Sequence, residues 1–394
     1  MRIFGCAKIV NSKGKHLKFQ ANREALHEAI ANAARLISPR PQSPQLSGIM
    51  ISAADKEASF LVFDYETSGR FSATAAVETD GRVLVAGRLL ADIVSRLPDD
   101  TVIIEFKEGK LLVKSGQSKF SLPVMTSAEF PESFNFPKAT GSVEASIFSD
   151  AVSQVSVAAA RDDVQAAFST VVISATDKQL TLSATDRFRV ATRVLPWKGA
   201  ATDKEVLVPA RNLIEISKSF GSDGQISLAI APDAKDLIYF ESPTKAISSV
   251  TVKGTIPALA PLFPTAERID NFAVVAKEDL LEATRRAALI LERDKSVKYE
   301  ATKDQLILTA AGADSAEATE AIPVSHSGDD VTVALKPQFV LDALSGIDAE
   351  MVTMVFLKHE RNPARPGPVQ FTASVEKTEL ADFRYLLQPN LLAN

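Results

Sequence analysis

The side chains that could carry chemistry are few and widely scattered. The four histidines are His16, His27, His326 and His359, and the single cysteine is Cys6. Histidines so far apart in the sequence do not have the short spacing that is typical of zinc sites. A phosphate-binding loop of the GxxxxGKS or GxxxxGKT type is absent from the sequence. We therefore predict no catalytic residues, no metal site and no cofactor.

Three acidic residues recur at nearly constant spacing. Asp92, Glu215 and Asp342 are separated by 215 − 92 = 123 and 342 − 215 = 127 positions. Each lies seven residues after the last member of a three-residue apolar strand end. Residues that recur together with a whole unit indicate a repeated structure and not a single cluster of catalytic acids. We therefore predict a structural role for the three.

The repeated unit is a buried strand, a turn and an amphipathic helix. It reads VLVAGRLLADIVSRL at Val83–Leu97, VLVPARNLIEISKSF at Val206–Phe220 and VALKPQFVLDALSGI from Val333 onwards. This period is longer than that of solenoid repeats and matches the length of a whole domain. A second landmark supports the same register, because Asp64 and Asp186 follow equivalent strands 122 residues apart. The chain is therefore predicted to be one domain repeated three times.

Proline-rich segments without clear periodicity separate the three copies. They run over Pro123–Ser142 and Gly254–Ile269, and they divide the chain into predicted domains 1–136, 137–266 and 267–394. Each copy has the pattern of two helices and about seven or eight strands, which is enough for two small sheets. The predicted fold class is α+β, with three tandem copies of a two-helix, two-sheet domain. Domains joined in this way can continue one sheet into the next, and a symmetric partner can close the arc into a ring.

The composition is that of a folded soluble protein. Hydrophobic residues make up 46% of the 394 residues, and charged residues make up 24%. No segment approaches the roughly 20 consecutive apolar residues of a membrane helix, and the first residues lack the features of a signal peptide. Because the chain has one cysteine, it cannot form an internal disulfide. We therefore expect a cytoplasmic location.

The net charge of −5 argues against a protein whose whole surface coats nucleic acid. A local basic face remains compatible with it, because salt screens charges beyond about 8 Å. The predicted helices carry scattered cations on the faces that would lie away from the sheets. These are Arg23, Arg35, Arg88, Arg96, Arg211, Lys218, Arg285 and Arg286. Taken singly, each is expected to be an ordinary solvated residue, so charge alone does not predict DNA binding.

The sequence resembles a known family over almost its whole length, from about Leu17 to Leu392. The motifs that carry the resemblance are FDYETSG, GRLLADIVSRLPDD, KLLVKSGQSKFSLPVM, ATDRFRVA at Ala184–Ala191 and YLLQPNLL at Tyr385–Leu392. They are similar to motifs of the bacterial sliding clamp, the beta subunit of DNA polymerase III, and most similar to those of its actinobacterial members. The resemblance implies the DNA clamp fold, in which a head-to-tail homodimer of three-domain protomers forms a ring around double-stranded DNA.

The resemblance also implies a function without catalysis. Such a ring holds the alpha subunit of DNA polymerase III at the primer terminus, confers processivity and binds DNA without sequence preference. An apolar pocket takes short linear peptides from the polymerase, the clamp loader, other polymerases and repair proteins, and no membrane partner is implied. Two alternatives stay open. One is a paralogue that replaces the resident clamp under drug or stress, and the other is an interaction scaffold of the same fold that does not encircle DNA.

The partner-peptide pocket of the family lies between its second and third domains. The matching positions here are Phe168, Thr185, Arg187, Phe188, Arg189, Val190, Pro257, Leu262, Phe339, Leu386, Leu387, Gln388, Pro389, Asn390 and Leu391. For Val190, Leu386 and Leu387, the pattern alone favours ordinary strand core. Many clamps have Gly-His where this chain has Arg187-Phe188, and many have methionine and arginine in the last residues where this chain has neither. The pocket preference can therefore differ from theirs.

The DNA-contacting positions of the family correspond to Arg40, Arg88 and Arg211. Arg40 lies in a proline-bounded loop, where a structural role is less pressing. Arg88 lies at a helix start, where a cation interacts unfavourably with the helix dipole. Both placements favour a functional role. The loop Arg161–Ala167 matches another DNA-contacting loop but has alanines where other members have aromatic residues, so we expect no stacking contact there.

The dimer contact of the family corresponds to Phe120 and Leu122 in the first copy and to Leu289 and Ile290 in the third. Edge strands that pair across subunits are the expected geometry. A role in the core of its own domain is about equally open for each of the four.

Overall fold

The computed structural model describes residues 16–127, 130, 136–161, 165–202, 204–230, 236–292, 294–359, 365–373 and 382–391. The α-helices are α1 (Arg23–Arg35), α2 (Gly87–Ser95), α3 (Ala145–Ser156), α4 (Ala210–Phe220), α5 (Lys277–Ala288) and α6 (Pro337–Ser345). Within the described ranges, no helix combines the length and the apolar character that crossing a membrane requires.

The same described ranges contain twenty-five strands. Those of the first copy are β1 (Leu17–Asn22), β2 (Gly48–Ala54), β3 (Glu57–Phe63), β4 (Thr67–Thr79), β5 (Gly81–Ala86), β6 (Thr101–Lys107), β7 (Lys110–Ser115) and β8 (Ser118–Met125). Those of the second are β9 (Gly141–Glu144), β10 (Thr170–Ala175), β11 (Gln179–Thr185), β12 (Arg189–Pro196), β13 (Lys198–Gly199), β14 (Val206–Pro209), β15 (Gln225–Ile230), β16 (Leu237–Ser242) and β17 (Lys245–Val250). Those of the third are β18 (Phe272–Ala276), β19 (Val297–Ala301), β20 (Gln305–Ala311), β21 (Glu317–Ser327), β22 (Val331–Leu335), β23 (Met351–Lys358), β24 (Pro366–Thr372) and β25 (Phe383–Leu387).

Local sequence explains where the first helix begins and which face it buries. The side chain of Asn22 accepts hydrogen bonds from the backbone N–H groups of Glu24 at 2.9 Å and Ala25 at 3.2 Å, which satisfies two donors that have no partner inside the helix. The buried residues of α1 are Leu26, Ala29, Ile30 and Ala33. Their spacing is that of one helical stripe, so α1 is an amphipathic helix that buries one face.

A strand leads into a helix at the same point of all three copies. Helix α2 follows β5 directly, α4 follows β14 directly, and α6 follows β22 after the single residue Lys336. The predicted turn between strand and helix is therefore shorter than expected or absent. Proline at the first position of α6 suits this junction, because that position needs no N–H donor.

The chain divides into two compact units. One contains residues 1–146 and 211–251, and the other contains residues 147–210 and 252–394. The strands of the second copy are shared between them, which differs from a simple division into three domains. The reason lies in strand pairing, because sheets of the second copy continue sheets of the first and of the third.

In the first unit, a long antiparallel sheet runs in the order β1-β6-β7-β8-β5-β2-β3-β4-β17-β16-β15-β9. The first and second copies join where β4 pairs with β17, from Thr67 opposite Ser249 to Phe71 opposite Lys245. The core under this sheet includes Phe19, Phe60 and Phe71, which are fully buried. The predicted continuation of a sheet between copies is thus present here.

In the second unit, a twelve-stranded sheet runs in the order β14-β10-β11-β12-β25-β24-β23-β18-β21-β20-β19-β22. The second and third copies join where β12 pairs with β25, from Arg189 opposite Leu387 to Arg193 opposite Phe383. This is the same kind of junction as β4 with β17. It places the corner that precedes β12 beside the last strand of the chain.

Candidate functional site

The site is built around a tight corner, Thr185–Arg189, that joins β11 to β12. Asp186 Oδ1 accepts hydrogen bonds from the backbone N–H groups of Phe188 at 3.0 Å and Arg189 at 3.1 Å. Thr185 Oγ1 accepts from the N–H of Arg187 at 3.1 Å and donates to the carbonyl of Arg189 at 2.7 Å. Arg187 has a left-handed backbone with φ of 78°. Side chains thus satisfy the backbone of a turn that is unfavourable for a residue with a Cβ atom.

Arg189 links this corner to the third copy. Its side chain is 4% exposed. Nε donates to Asp186 Oδ2 at 2.9 Å, while Nη1 donates to Asp342 Oδ2 and, at 3.0 Å, to Tyr385 Oη. Asp342 also accepts from Gln338 Nε2 at 2.8 Å. A buried guanidinium requires such partners, because an unpaired buried charge is strongly destabilising.

The electrostatics of Arg189 and Tyr385 follow from burial and from these partners. Burial by itself lowers the pKa of Arg189, but Tyr385, Asp342 and Asp186 outweigh it and hold the pKa above its usual value. Burial raises the pKa of Tyr385, and Arg189 offsets only part of that effect. The guanidinium is therefore charged and the phenol neutral at physiological pH. The Cζ atom of Arg189 also lies 4.0 Å from the ring centroid of Phe339 on α6, a cation–π contact.

An apolar cluster lies on the other face of the same strands. Val190, Leu386 and Phe263 are each 6% exposed and pack together, with Leu259 and Leu357 packed against them as partly buried residues. Val190 and Leu386 are opposite each other in the β12–β25 pair. Phe263 comes from the segment that connects the second copy to the third. The linker therefore covers the strand junction with apolar contacts.

Large apolar side chains close in sequence to the members of this cluster remain exposed. Phe188 is 56% exposed, Leu262 is 48% exposed and Leu391 is 70% exposed. We call these three residues the apolar rim. The backbone N–H of Gln388 donates to the carbonyl of Phe188 at 2.8 Å, which fixes the end of the chain beside the corner. Exposed large apolar side chains on the segments that also supply a buried apolar cluster favour a protein-binding surface here.

The end of the chain is tied down more firmly than the sequence indicates. Pro389 is buried, and the backbone N–H of Asn390 donates to the carbonyl of Ala334 at 2.8 Å. Asn390 Nδ2 donates to Ser296 Oγ at 2.7 Å. Pro389 and Asn390 therefore have structural roles, and Leu391 exposes its side chain. Leu392 lies outside the described residues.

The other predicted pocket residues belong to the same unit. Phe168 and Phe339 are half-buried, Pro257 is exposed, Thr185 is 4% exposed and Leu387 is 1% exposed. Sequence reasoning missed Asp186, Asp342, Tyr385 and Phe263 as parts of this site. The sequence could have identified two of them, because Asp186 and Asp342 occupy positions that are acidic in more than one copy of the repeat.

The three predicted DNA-contacting arginines have different surroundings in the first unit. Arg40 is exposed in the loop after α1. The guanidinium of Arg88 donates to the carbonyl of Ile37 at 2.9 Å. Nη2 of Arg211 lies 3.0 and 2.7 Å from the two carboxylate oxygens of Glu66. Arg88 and Arg211 thus have partners within the chain, and in Arg161–Ala167 residues 162–164 lie outside the described part.

The predicted dimer residues also differ in exposure. Leu289 is 82% exposed and Phe120 is 40% exposed, whereas Ile290 is half-buried and Leu122 is only 2% exposed. In the first unit, β8 pairs with β7 through Ser118–Pro123 and with β5 through Val124 and Met125. In the second unit, β21 pairs with β20 through residues 317–323 and with β18 through residues 324–327. Within the described residues, the edge of β8 opposite β7 and the edge of β21 opposite β20 are therefore unpaired over most of their length.

Metal chemistry finds no support among the described residues. No group of three or more histidine, cysteine, aspartate or glutamate residues in the described ranges could hold a metal ion. His326 Nε2 lies 2.8 Å from Asn271 Oδ1 and so takes part in a local structural contact. Cys6 lies outside the described residues.

Comparison with known proteins gives a family for the whole chain. Residues 17–135, 142–258 and 261–365 match, in order, the N-terminal, central and C-terminal domains of the DNA polymerase III beta subunit. The chain is 35% identical to the beta sliding clamp of Streptomyces coelicolor over 95% of its own length and 99% of that protein. It is 40% identical to the clamp of Micrococcus luteus over 78% and 99%, and 34% identical to the clamp homolog GriR of Streptomyces muensis over 95% and 99%.

Solved structures agree in fold. The DNA polymerase III beta subunit of Thermotoga maritima superposes with a TM-score of 0.85 at 22% identity, covering 96% of this chain and 100% of that one. The clamp of Pseudomonas aeruginosa bound to griselimycin gives a TM-score of 0.85 at 23% identity, covering 95% and 100%. The predicted α+β fold of three tandem clamp domains is confirmed. By the family match along its length and by its identity to curated relatives, the chain belongs to the family of DNA polymerase III beta subunits, the beta sliding clamps.

Proposed function

We propose that this chain is a replicative sliding clamp, which encircles double-stranded DNA and tethers the polymerase without catalysing a reaction itself. The observation that carries the proposal is the threefold repetition of one domain along the chain, in the order found in the clamp family. A ring held on DNA by its topology needs few phosphate contacts. The net charge of −5 suits that mode, because retention through many neutralised phosphates would be strongly salt-dependent, whereas retention by topology is not.

The proposed domains are 1–136, 137–266 and 267–394. Their support comes from the linkers, since Phe263 in the second linker packs on the β12–β25 junction. In the first unit, Phe130 of the first linker packs with Met50, Leu61 and Leu84. Each linker thus contributes one phenylalanine to a small apolar cluster next to a place where two domains share a sheet.

The proposed assembly is a head-to-tail homodimer, in which the first domain of one protomer meets the third domain of its partner. The unpaired edges of β8 and β21 can pair as strands across the two protomers. Lys119 is exposed on β8 and Glu317 is exposed on β21, which gives opposite charges to the two edges. Leu289, at 82% exposure, supplies an apolar group that burial in a dimer would remove from water.

The proposed DNA contacts are made by Arg40, Arg88 and Arg211, without sequence preference. Arg40 is the freest of the three to reach a phosphate, because its side chain is exposed in a loop. Arg211 would have to exchange Glu66 for a phosphate, and the exposed position of that ion pair makes the exchange inexpensive. Such contacts position a duplex but carry no sequence information.

The proposed pocket for short linear peptides comprises the Val190–Leu386–Phe263 cluster, the apolar rim and the corner Thr185–Arg189. Its partners would be the polymerase alpha subunit, the clamp loader, other polymerases and repair proteins in the cytoplasm. The pocket is preorganised, since Arg189 is held by Asp186, Asp342 and Tyr385 before any peptide arrives. Preorganisation favours affinity because less ordering remains to be done on binding.

A clamp paralogue is the second candidate. The 34% identity to the GriR homolog over nearly the full length favours it. A paralogue would keep the ring and differ in the pocket. Replacement of the resident clamp gene by this one separates the two, because a replicative clamp sustains growth as the single clamp in the cell.

The ring itself is tested by loading the protein onto nicked circular DNA. The expected result is a dimer of about twice the 42.3 kDa chain mass that stays on the circle in high salt and leaves after linearisation. A chain that leaves circular and linear DNA at the same rate would contradict encirclement. It would leave the interaction scaffold as the remaining function.

A further inference from the structure

The backbone at Arg187 has a conformation that is unfavourable for arginine. Its φ of 78° lies in the left-handed region, which is unfavourable for residues with a Cβ atom and free for glycine. The turn is nevertheless fixed, because Thr185 Oγ1 and Asp186 Oδ1 accept the N–H groups of Arg187, Phe188 and Arg189. The fold therefore sets the direction in which the Arg187 side chain leaves the corner.

The first copy shows that this corner does not itself require a cation. Asp64 Oδ1 accepts the N–H groups of Glu66 at 3.1 Å and Thr67 at 2.7 Å, just as Asp186 does in the second copy. Tyr65 takes the place of Arg187, with φ of 69° and 57% exposure. The repeat thus conserves the turn geometry while its outermost side chain changes from a phenol to a guanidinium.

Arg187 directly precedes Phe188 of the apolar rim, and its side chain is exposed. Its Cζ atom lies 5.4 Å from the ring centroid of Phe168, a contact that holds the side chain over the site. The adjacent Asp186 carboxylate is already occupied by Arg189 Nε and two backbone N–H groups. No carboxylate in the described part of the chain forms an ion pair with Arg187.

Two neighbouring cations are neutralised in comparison. Lys336 Nζ lies 3.1 Å from Asp294 Oδ1, and Arg189 is paired with Asp186 and Asp342. Arg384 is half-buried, and its Cζ atom lies 4.6 Å from the ring centroid of Phe263. The positive charge of Arg187 is therefore an exposed charge that a ligand could complement. An exposed cation held next to an apolar surface favours a partner that offers a carboxylate and an apolar group side by side.

We propose that Arg187 sets the specificity of the pocket by selecting peptides that carry an aspartate or glutamate next to their apolar anchor. The inference deepens the proposed function, because it rests on the same pocket. Arginine in place of glycine at this left-handed position therefore serves peptide recognition and not folding.

The test uses fluorescently labelled octapeptides with a Leu-Leu-Phe anchor and a single Asp at each flanking position in turn, each with an Asn twin. Binding is followed by fluorescence anisotropy with the full-length protein. The wild type should prefer one Asp peptide over its Asn twin by about three- to five-fold at low salt, as expected for an exposed ion pair. The preference should shrink in 0.5 M salt, where the screening length is only a few ångströms.

Two substitutions then separate recognition from folding. Arg187→Gly should raise the melting temperature, because it relieves the left-handed strain, and should abolish the preference for Asp. Arg187→Lys should restore part of the preference, because it keeps the charge. Tyr65→Gly is the matched control, since it changes the equivalent corner of the first copy and should leave the ratio of Asp to Asn affinities at its wild-type value.

The outcomes are distinct. Wild-type protein that binds all Asp and Asn twins equally would overturn the role of Arg187 and leave the pocket standing. A preference that survives in Arg187→Gly would likewise overturn it, because another cation would then be responsible. Failure of every anchor peptide to bind would instead overturn the proposed pocket, and the inference built on it would fall as well.

Discussion

Removal of Asp342 should destabilise the second unit, because it takes one partner from a buried guanidinium. In Asp342→Ala, Nη1 of Arg189 loses one of its two acceptors and keeps Tyr385, while Nε keeps Asp186. A hydrogen bond to a charged group contributes about 1.5–3 kcal/mol, so we expect a loss of about 2 kcal/mol in the free energy of unfolding. That loss corresponds to a fall of about 4–8 °C in Tm for a cooperative unit of 150–250 residues.

The repeat supplies a matched control. Glu215 occupies the equivalent position on α4, but its side chain is 38% exposed and its ion pairs are with Lys218 at 3.1 Å and Arg35 at 4.0 Å. Exposed pairs of this kind contribute about 0.2–1 kcal/mol, so Glu215→Ala should change stability by less than about 1 kcal/mol. Asp342→Asn should fall between the two, because it keeps an acceptor and loses the charge.

Calorimetry together with the fluorescence of Trp197 provides the assay. Trp197 is the single tryptophan, is 4% exposed and lies in the second unit, so its emission reports on the unit that contains Asp342. The reasoning fails if Asp342→Ala and Glu215→Ala are equally destabilising. It also fails if the Trp197 transition of Asp342→Ala coincides with that of the wild type, since the contact would then contribute nothing to the unit.

Three further predictions follow from the exposed and buried groups described above. Asp64→Asn should leave stability at pH 7 unchanged or raise it, because burial raises the pKa of Asp64 and the amide can still accept the two N–H groups. Asp186→Asn should lower Tm, because Arg189 loses a charged partner. Thermal melts of the two variants compare these effects. Leu289→Asp should raise the dissociation constant of the proposed homodimer about tenfold or more, since it would place a charge in an apolar contact that the proposed interface buries. Analytical ultracentrifugation measures this constant. Leu391→Ala should weaken peptide binding about three- to tenfold without moving Tm, because its side chain is 70% exposed in the free protein; anisotropy titration measures it.

Each of these predictions has a sign that can be contradicted. For Asp64, the raised native pKa means that the carboxylate form disfavours the fold, so its contribution is most favourable at low pH and is lost as pH rises through the native pKa. An Asp64→Asn protein that melts well below the wild type at pH 7 would contradict this sign. An unchanged dimer in Leu289→Asp would remove that residue from the interface, and a lowered Tm in Leu391→Ala would assign that side chain to the fold.

Periodicity and turn chemistry predicted much of the fold. The three strand–helix units are the example, because their apolar strand ends and helical stripes recur in the sequence. The hairpin between β6 and β7 and the cap at Asn22 follow similar local rules, since Glu108 and Gly109 both have positive φ, of 53° and 75°, as a two-residue hairpin turn requires. These features depend on residues close together in sequence, which is why a single sequence reveals them.

Strand β21 escaped prediction for a physical reason. Within Glu317–Ser327, Ile322 is the single buried position, and the others are exposed or half-exposed. Strand patterns are visible when one face is buried, and this strand is held by backbone pairing with β20 and not by a buried face. A strand of this kind leaves no apolar alternation in the sequence.

The network around Arg189 could not be predicted from spacing alone. The acids of the three repeats were expected to share a structural role, yet their side chains have different partners. Asp342 reaches Arg189 across 153 positions of sequence, whereas Glu215 contacts Lys218 on its own helix. The difference arises at the corner, because the residue three positions after the capping aspartate is Thr67 in the first copy and Arg189 in the second. A sequence repeat therefore predicts the position of a residue in the fold but not the residues that its side chain contacts.

The shared sheets have a consequence for the middle third of the chain as a separable piece. A fragment of residues 137–266 would lose β25 from the edge of β12 and β4 from the edge of β17. It would expose two open strand edges, which are templates for aggregation. The middle third is therefore not a portable module, and a well-behaved fragment must carry at least one neighbouring copy. Gene duplication that produced such a chain would have yielded stable products only when adjoining copies were inherited together.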